Sequence, residues 1–168
     1  MSGCIDKVQL IATAIFGIEI QCDALRLDGD ATAVSADRIE NDIRTLANFG
    51  TRNTFSDTIS ETRGIGAARR WIKGEFDKIS NGCDDCLNVF YQKDFVTKEG
   101  NRRVPKDAWV VNVIAVQKGT KYPNRYIIMS GDIDSRASDT MDFTTDAPGA
   151  NDNASGMAGT IEAARVLS

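Results

Sequence analysis

The sequence predicts an α/β sandwich, and three observations predict it. Two amphipathic helical patterns lie between residues 35 and 79. Three apolar strand patterns follow between residues 87 and 129, and a last helical pattern runs from Ser155 to Leu167. Helices on either side of a run of strands in the chain are the ordering that buries a sheet under a helical layer.

The elements follow in order. Ser35 is a natural N-cap with Asp37 in the first turn, after which Ile39, Ile43, Leu46 and Ala47 recur at helical spacing up to Gly50, a C-terminal stop. Thr51 to Ser60 is polar and turn-rich, hence a loop. A second helix is expected from about Thr62 to Ile79, with Ile65, Ala68, Ile72, Phe76 and Ile79 on one face. Gly64-Ile65-Gly66 is not a dinucleotide fingerprint: it follows no strand, and Arg69 stands where the third glycine belongs. Close packing of a helix start is the reading kept. Leu87 to Val96 is rich in aromatic and β-branched residues, and Trp109 to Val116 is nearly continuous in apolar ones. Tyr126 to Met129 is short and wholly apolar. Such runs belong to strands covered on both faces, so the sheet is expected to be mostly buried. Gly131 to Asn153 reads as a long acidic loop. The last helix carries Met157, Ile161, Ala164 and Leu167 along one stripe.

Composition narrows the function. The 168 residues carry 20 Lys and Arg against 24 Asp and Glu, a net charge of −4 without a basic run. A nucleic-acid partner is therefore not expected, since it requires clustered positive charge. No histidine is present, which removes Ser/His/Asp and Cys/His catalysis and any imidazole ligand from this chain. No apolar run approaches the roughly 20 residues of a membrane span. Val8 to Ile18, after Lys7, reads either as the remnant of a secretory signal or as a docking helix or strand, and residues 1–33 are set apart as an N-terminal segment. Cys83-Asp84-Asp85-Cys86 lacks the second pair of a zinc ribbon and the strand-to-helix context of a redox motif. A local disulfide or two loop thiols remain, and a disulfide implies an oxidising compartment.

The chemistry is expected between Ser130 and Gly156, where Asp132, Asp134, Asp139, Asp142, Asp146 and Asp152 are gathered. Asp132 and Asp134 fall at the C-terminal end of a strand, where open α/β sheets place ligands. Carboxylates crowded this way repel one another, and a metal cation is the simplest reason to collect them. A solvated acidic loop, with Asp152 or Asn153 capping the following helix, is the other reading. The spacing is not that of an EF-hand.

The segments SGDIDSR and DAPGANDNASG, followed by IEAARVLS, resemble the di-zinc exopeptidases of metallopeptidase family 28. The resemblance extends to bacterial leucine aminopeptidases and covers roughly Val34 to Ser168. It implies the front part of a zinc-exopeptidase-like α/β/α sandwich with a mixed sheet, an incomplete domain over residues 34–168, two zinc ions, a peptide substrate and a secreted or periplasmic location. In that family the first motif is Gly-His-x-Asp-Ser, and its metal-binding histidine falls on Asp132. The aspartate that orients this histidine falls on Asp134, which is thereby assigned to the catalytic machinery. The metal-bridging aspartate falls on Asp152, and the Asp152–Asn153 peptide is the one the family holds cis. Arg136 and residues 138–145 are placed at the rim of the site. The family's general-base glutamate and remaining ligands come from later strands that this sequence does not contain.

Aspartate at position 132 adds charge where the family has a neutral ligand, and it faces Asp134 as a like charge. Three readings follow. The first is a chain derived from a zinc aminopeptidase and inactive alone. The second is a non-catalytic binding or self-assembling module on the same scaffold, forming a homo-oligomer through an exposed sheet edge. The third is an acidic Ca²⁺- or Mg²⁺-binding domain. Because the sequence stops directly after a covering helix, which normally feeds another strand, it is read as part of a larger domain.

Overall fold

The computed structural model describes residues 13–18, 33–100, 102, 104–119, 124–139 and 141–168. Cys4, Cys22 and residues 8–12 of the expected signal or docking segment lie outside them. The elements run β1 (Thr13–Ile18), α1 (Ala36–Asn48), α2 (Gly64–Gly82), β2 (Leu87–Val96), β3 (Ala108–Gln117), β4 (Ile127–Asp132) and α3 (Ser155–Leu167). A short π-type turn, residues Ala150–Ala154, precedes α3.

The four strands form one mixed sheet in the order β2-β3-β1-β4. β2 and β3 are an antiparallel pair from Leu87–Gln117 to Val96–Ala108. β1 runs parallel to β3 and antiparallel to β4. The α/β class and the mixed sheet are as expected. Residues 13–18, which fall within the N-terminal segment 1–33, form β1, an inner strand whose backbone joins β3 to β4. A six-residue strand satisfies both its edges in this position, and the sequence pattern alone did not decide between strand, helix and signal.

The apolar helical stripes meet over the sheet. Leu46 of α1, Ile65, Ile72 and Phe76 of α2, Val113 and Ala115 of β3, and Met157 and Ile161 of α3 form one core. α2 packs on β2 and β3, whereas α3 packs on β4 and β1. The strand register puts Ala115 and Gly131 on the same face, so both helices cover one side. The opposite face carries Phe90 and Ile128, which are exposed. In β3 only Asn112, Val113 and Ala115 are buried and Trp109 is exposed, and in β4 Ile127, Ile128 and Met129 all remain exposed, so burial falls short of expectation in both strands. A strand is buried on both faces only when a second layer covers it; among the described residues one helical layer is present, which leaves the face carrying Ile128 uncovered.

The helix ends follow their chemistry. Ser35 Oγ accepts from the Arg38 amide at 3.3 Å, as its N-cap role requires. The Ser35 amide in turn donates to Glu162 Oε1 at 2.6 Å, and Arg165 ties Glu162 to the Ala33 carbonyl. At the start of α2 the glycines serve close packing. A Cβ on Gly66 would lie 2.2 Å from the Thr58 carbonyl oxygen, and Gly64 has φ +84°. Cys83 and Cys86 form a disulfide across a turn whose inner residues, Asp84 and Asp85, both have positive φ.

One carboxylate in this layer works against the fold. Burial, with Glu75 and then Glu162 adding repulsion, pushes Asp42 on α1 up to about 6 from its ordinary 3.8. The folded state thus holds a proton there that the unfolded chain has already lost, so stability falls as pH rises between about 4 and 6. Asp42→Asn is expected to stabilise the protein by about 1 kcal/mol at pH 7.5, after discounting for solvent screening, and by much less at pH 4.5. Urea unfolding at the two pH values checks this; an equal effect at both would remove the ionic explanation.

Candidate functional site

The site is built where β4 ends and the chain crosses to α3. Ile133 is buried and seats the strand end in the core. Ser135 is also buried, and it bonds both ways across the loop. Its Oγ accepts from the Arg52 amide at 3.0 Å and donates to the Ala147 carbonyl. Thr51 and Ala147 form a further isolated bridge. The loop after α1 and the loop after β4 are thereby laced together.

Arg52 is the centre of this lacing. Its side chain is fully buried, and its guanidinium donates to the carbonyls of Leu46 (2.8 Å), Ile133 (2.9 Å), Pro148 (2.6 Å) and Gly149 (3.0 Å). Gly149 has φ +50°, and a Cβ there would sit 2.5 Å from the Asp152 carbonyl oxygen. The glycine therefore lets the chain close tightly on the turn that presents Asp152. The Asp152–Asn153 peptide is cis, as the resemblance implied. Asn153 Oδ1 is buried without a hydrogen-bond partner among the described residues. It lies where a Cβ on Gly156 would come within 1.9 Å.

The structure sorts the acidic residues of this segment. Asp139 accepts from the Met141 amide, and Asp142 accepts from the Thr144 and Thr145 amides at 2.9 Å. Bonds from Thr145 and Thr144 hold the Asp142 carboxyl far below the usual carboxylate range. Asp146 pairs with Arg63 at 2.6 Å. These three build turns and ion pairs. Asp132 and Asp152 are exposed and make no hydrogen bond or ion pair among the described residues. Asp134 is half-buried and accepts from Thr54 Oγ1 at 3.4 Å. Burial, and next the charge of Asp132, hold its carboxyl above the ordinary range, while Thr54, Arg136 and Arg52 act in the opposite sense.

Of the sequence-assigned residues, Asp132 and Asp134 are therefore brought into electrostatic contact at the strand end. Asp152 stands at the entry to α3, which packs against β4. Among the described residues no three His, Cys, Asp or Glu side chains are grouped so as to hold a metal ion. Zinc asks for about four donors in tetrahedral array, so these residues by themselves do not fit it. Sequence reasoning passed over Arg52, Thr54 and Ser135, which lie in polar runs indistinguishable from solvated loop. It also passed over Arg69. That residue left a signal, an arginine between Ile65 and Ile72 on the apolar stripe of α2.

Comparison with known proteins gives a family likeness. Residues 112–168 match the profile of Peptidase family M28. A probable zinc metalloprotease of Leptosphaeria maculans is 43% identical over 134 residues, covering 80% of this chain and 31% of that protein. One of Pyrenophora teres f. teres is 44% identical over 134 residues, covering 80% and 27%. One of Phaeosphaeria nodorum is 35% identical over 170 residues, covering 94% and 34%. The chain thus spans about a third of the length of these relatives. No solved structure gives a significant match.

Proposed function

From the match of residues 112–168 to Peptidase family M28, we propose a zinc-dependent aminopeptidase that releases N-terminal residues from peptides. This chain supplies part of its metal-binding wall. Asp152 and Asp132 are the carboxylates offered to metal, and Asp134 is the positioning residue behind Asp132. The observation that carries the reading is the sorting of the acidic segment. Asp139, Asp142 and Asp146 are engaged in local structure, whereas the carboxylates of Asp132 and Asp152 are left outward. With no group of three ligands, the remaining donors must come from outside these residues, and the chain alone is expected to hydrolyse nothing. The Cys83–Cys86 disulfide supports a secreted or periplasmic location, since such bonds persist in oxidising compartments.

A second reading is favoured by the exposed apolar residues Tyr126, just before the edge strand β4, and Ile127, Ile128 and Met129 on it. It makes the chain a self-assembling module that pairs through this edge. One sample tests both. The chain is sized by sedimentation, its zinc content is measured after equilibration with the metal, and leucine p-nitroanilide is added. The first reading expects weak zinc uptake, lost in Asp152→Asn and Asp132→Asn, with no turnover. Uptake identical in both variants would sink the ligand assignment. A zinc-independent dimer would favour the second reading, and a clean monomer would end it.

A further inference from the structure

Arg69 of α2 is 6% exposed, and its Nε has no hydrogen-bond partner among the described residues. A guanidinium taken out of water without partners costs free energy that the fold recovers only if something else occupies its donors. Burial lowers its pKa to about 10, and the charge of Asp134 acts against that shift, so it stays protonated at neutral pH.

Arg69 does not face a closed core. It lines a cavity of about 490 Å³ between the loop after α1 and the far end of the β2–β3 pair. Lys93 and Lys106 add two more positive charges to its wall, and Phe55, Trp109 and Val111 make the apolar part. Lys106 lies over the Phe143 ring at 4.3 Å and Lys93 beside Tyr91 at 5.8 Å. Asp107 is the one carboxylate in the wall, and its Oδ1 accepts from the Lys98 amide at 2.8 Å. Trp109 is 55% exposed and held against Phe95, ring centroids 5.1 Å apart. The wall therefore combines a planar cation whose Nε donor is orphaned, two flexible cations and an aromatic face.

We propose that this cavity binds a carboxylate carried on an aromatic or large apolar group, the carboxylate against Arg69 and the apolar group against Trp109. A planar guanidinium matches a carboxylate fork, and an exposed ring beside it supplies the apolar half. The C-terminal residue of a peptide and a free aromatic acid share this chemistry. The inference does not depend on the peptidase reading, because no metal enters it. The cavity nevertheless adjoins the site: Thr54, which donates to Asp134, also lines it.

The test is calorimetric titration of the whole chain, in metal-free buffer, with N-acetyl-phenylalanine and with its neutral amide. The acid is expected to bind roughly tenfold or more tightly than the amide. Arg69→Met is expected to lose that preference, and Arg69→Lys to regain part of it. Lys93→Ala with Lys106→Ala, two exposed changes that leave the core intact, is expected to weaken the acid severalfold. This keeps the test valid should Arg69→Met fail to fold. Titration with a dipeptide ending in phenylalanine separates the two sources: tighter binding than the acid assigns the site to peptide C-termini, and weaker binding to free acids. Equal affinity for acid and amide, or acid binding unchanged in the double lysine variant, would overturn the proposal.

Discussion

Arg52→Met is expected to lower the unfolding free energy by about 4 kcal/mol, a large part of the stability of a domain this size. The methionine fills much of the same volume, so packing loss is small. What is lost is the set of charge-assisted bonds to the carbonyls of Leu46, Ile133, Pro148 and Gly149. Each is worth about 1.5–3 kcal/mol net; the Leu46 and Gly149 carbonyls keep the amides of Phe49 and Ala154, whereas those of Ile133 and Pro148 lose the Arg52 donor without such a replacement. The opposing effect is desolvation, which lowers the Arg52 pKa to about 10, with Asp134 acting against it. Removing a buried cation relieves that penalty and holds the expected loss below the sum of four bonds. Because the four carbonyls lie at the end of α1, the end of β4 and the approach to Asp152, the variant should also loosen the loop that presents the acidic residues. Urea unfolding measures the loss, and hydrogen exchange at residues 133–149 measures the loosening. Arg52→Lys is expected to recover less than half, since an ammonium group cannot span four carbonyls in a planar fork. A loss under about 1 kcal/mol would show the bonds to be replaced by water.

The difference between what was legible and what was not has one physical source. Periodicity is local, so Ile39, Ile43 and Leu46 announced α1, and Ile65, Ile72 and Phe76 announced α2. The strands at 87–96 and 108–117 showed themselves by β-branched and aromatic content. Burial at β4 was misjudged because a wholly apolar run describes what a strand tolerates, not whether another element is there to cover it. The placement of Thr13–Ile18 between β3 and β4 is likewise a non-local choice of partner. At the site the aspartates could be named from residue type and resemblance. Their division into turn-builders and outward carboxylates required the backbone amides of Met141, Thr144 and Thr145 and the guanidinium of Arg63. Arg52 was invisible for the same reason. Three of its four acceptors are 81 or more residues away in sequence.

A close backbone approach that positions the site should be unforgiving of added volume, and Gly131 tests it. A Cβ built on Gly131 lies 2.5 Å from the Gly156 carbonyl carbon and the Met157 amide nitrogen, and 2.6 Å from Met157 Cα. All three are backbone atoms of α3, so no side chain can swing aside, and β4 must move away from the helix. Gly131→Val is expected to cost about 3 kcal/mol, the upper part of the range for overpacking a well-filled interior. The site should suffer beyond that loss. β4 ends at Asp132 and leads to Asp134, and the start of α3 follows Asp152 and the half-buried Asn153. Pushing the two apart separates the carboxylates assigned to metal. Gly74 supplies the control. It lies in the middle of α2 with nothing within 4 Å of a built Cβ, and Gly74→Ala is expected to stabilise by about 0.5–1 kcal/mol through helix propensity alone. If Gly131→Val unfolded at the same urea concentration as the parent chain, the contact between β4 and α3 would have to be looser than described. If it lost stability yet kept the parent's zinc uptake, Asp152 and Asp132 could not be acting on the same ion.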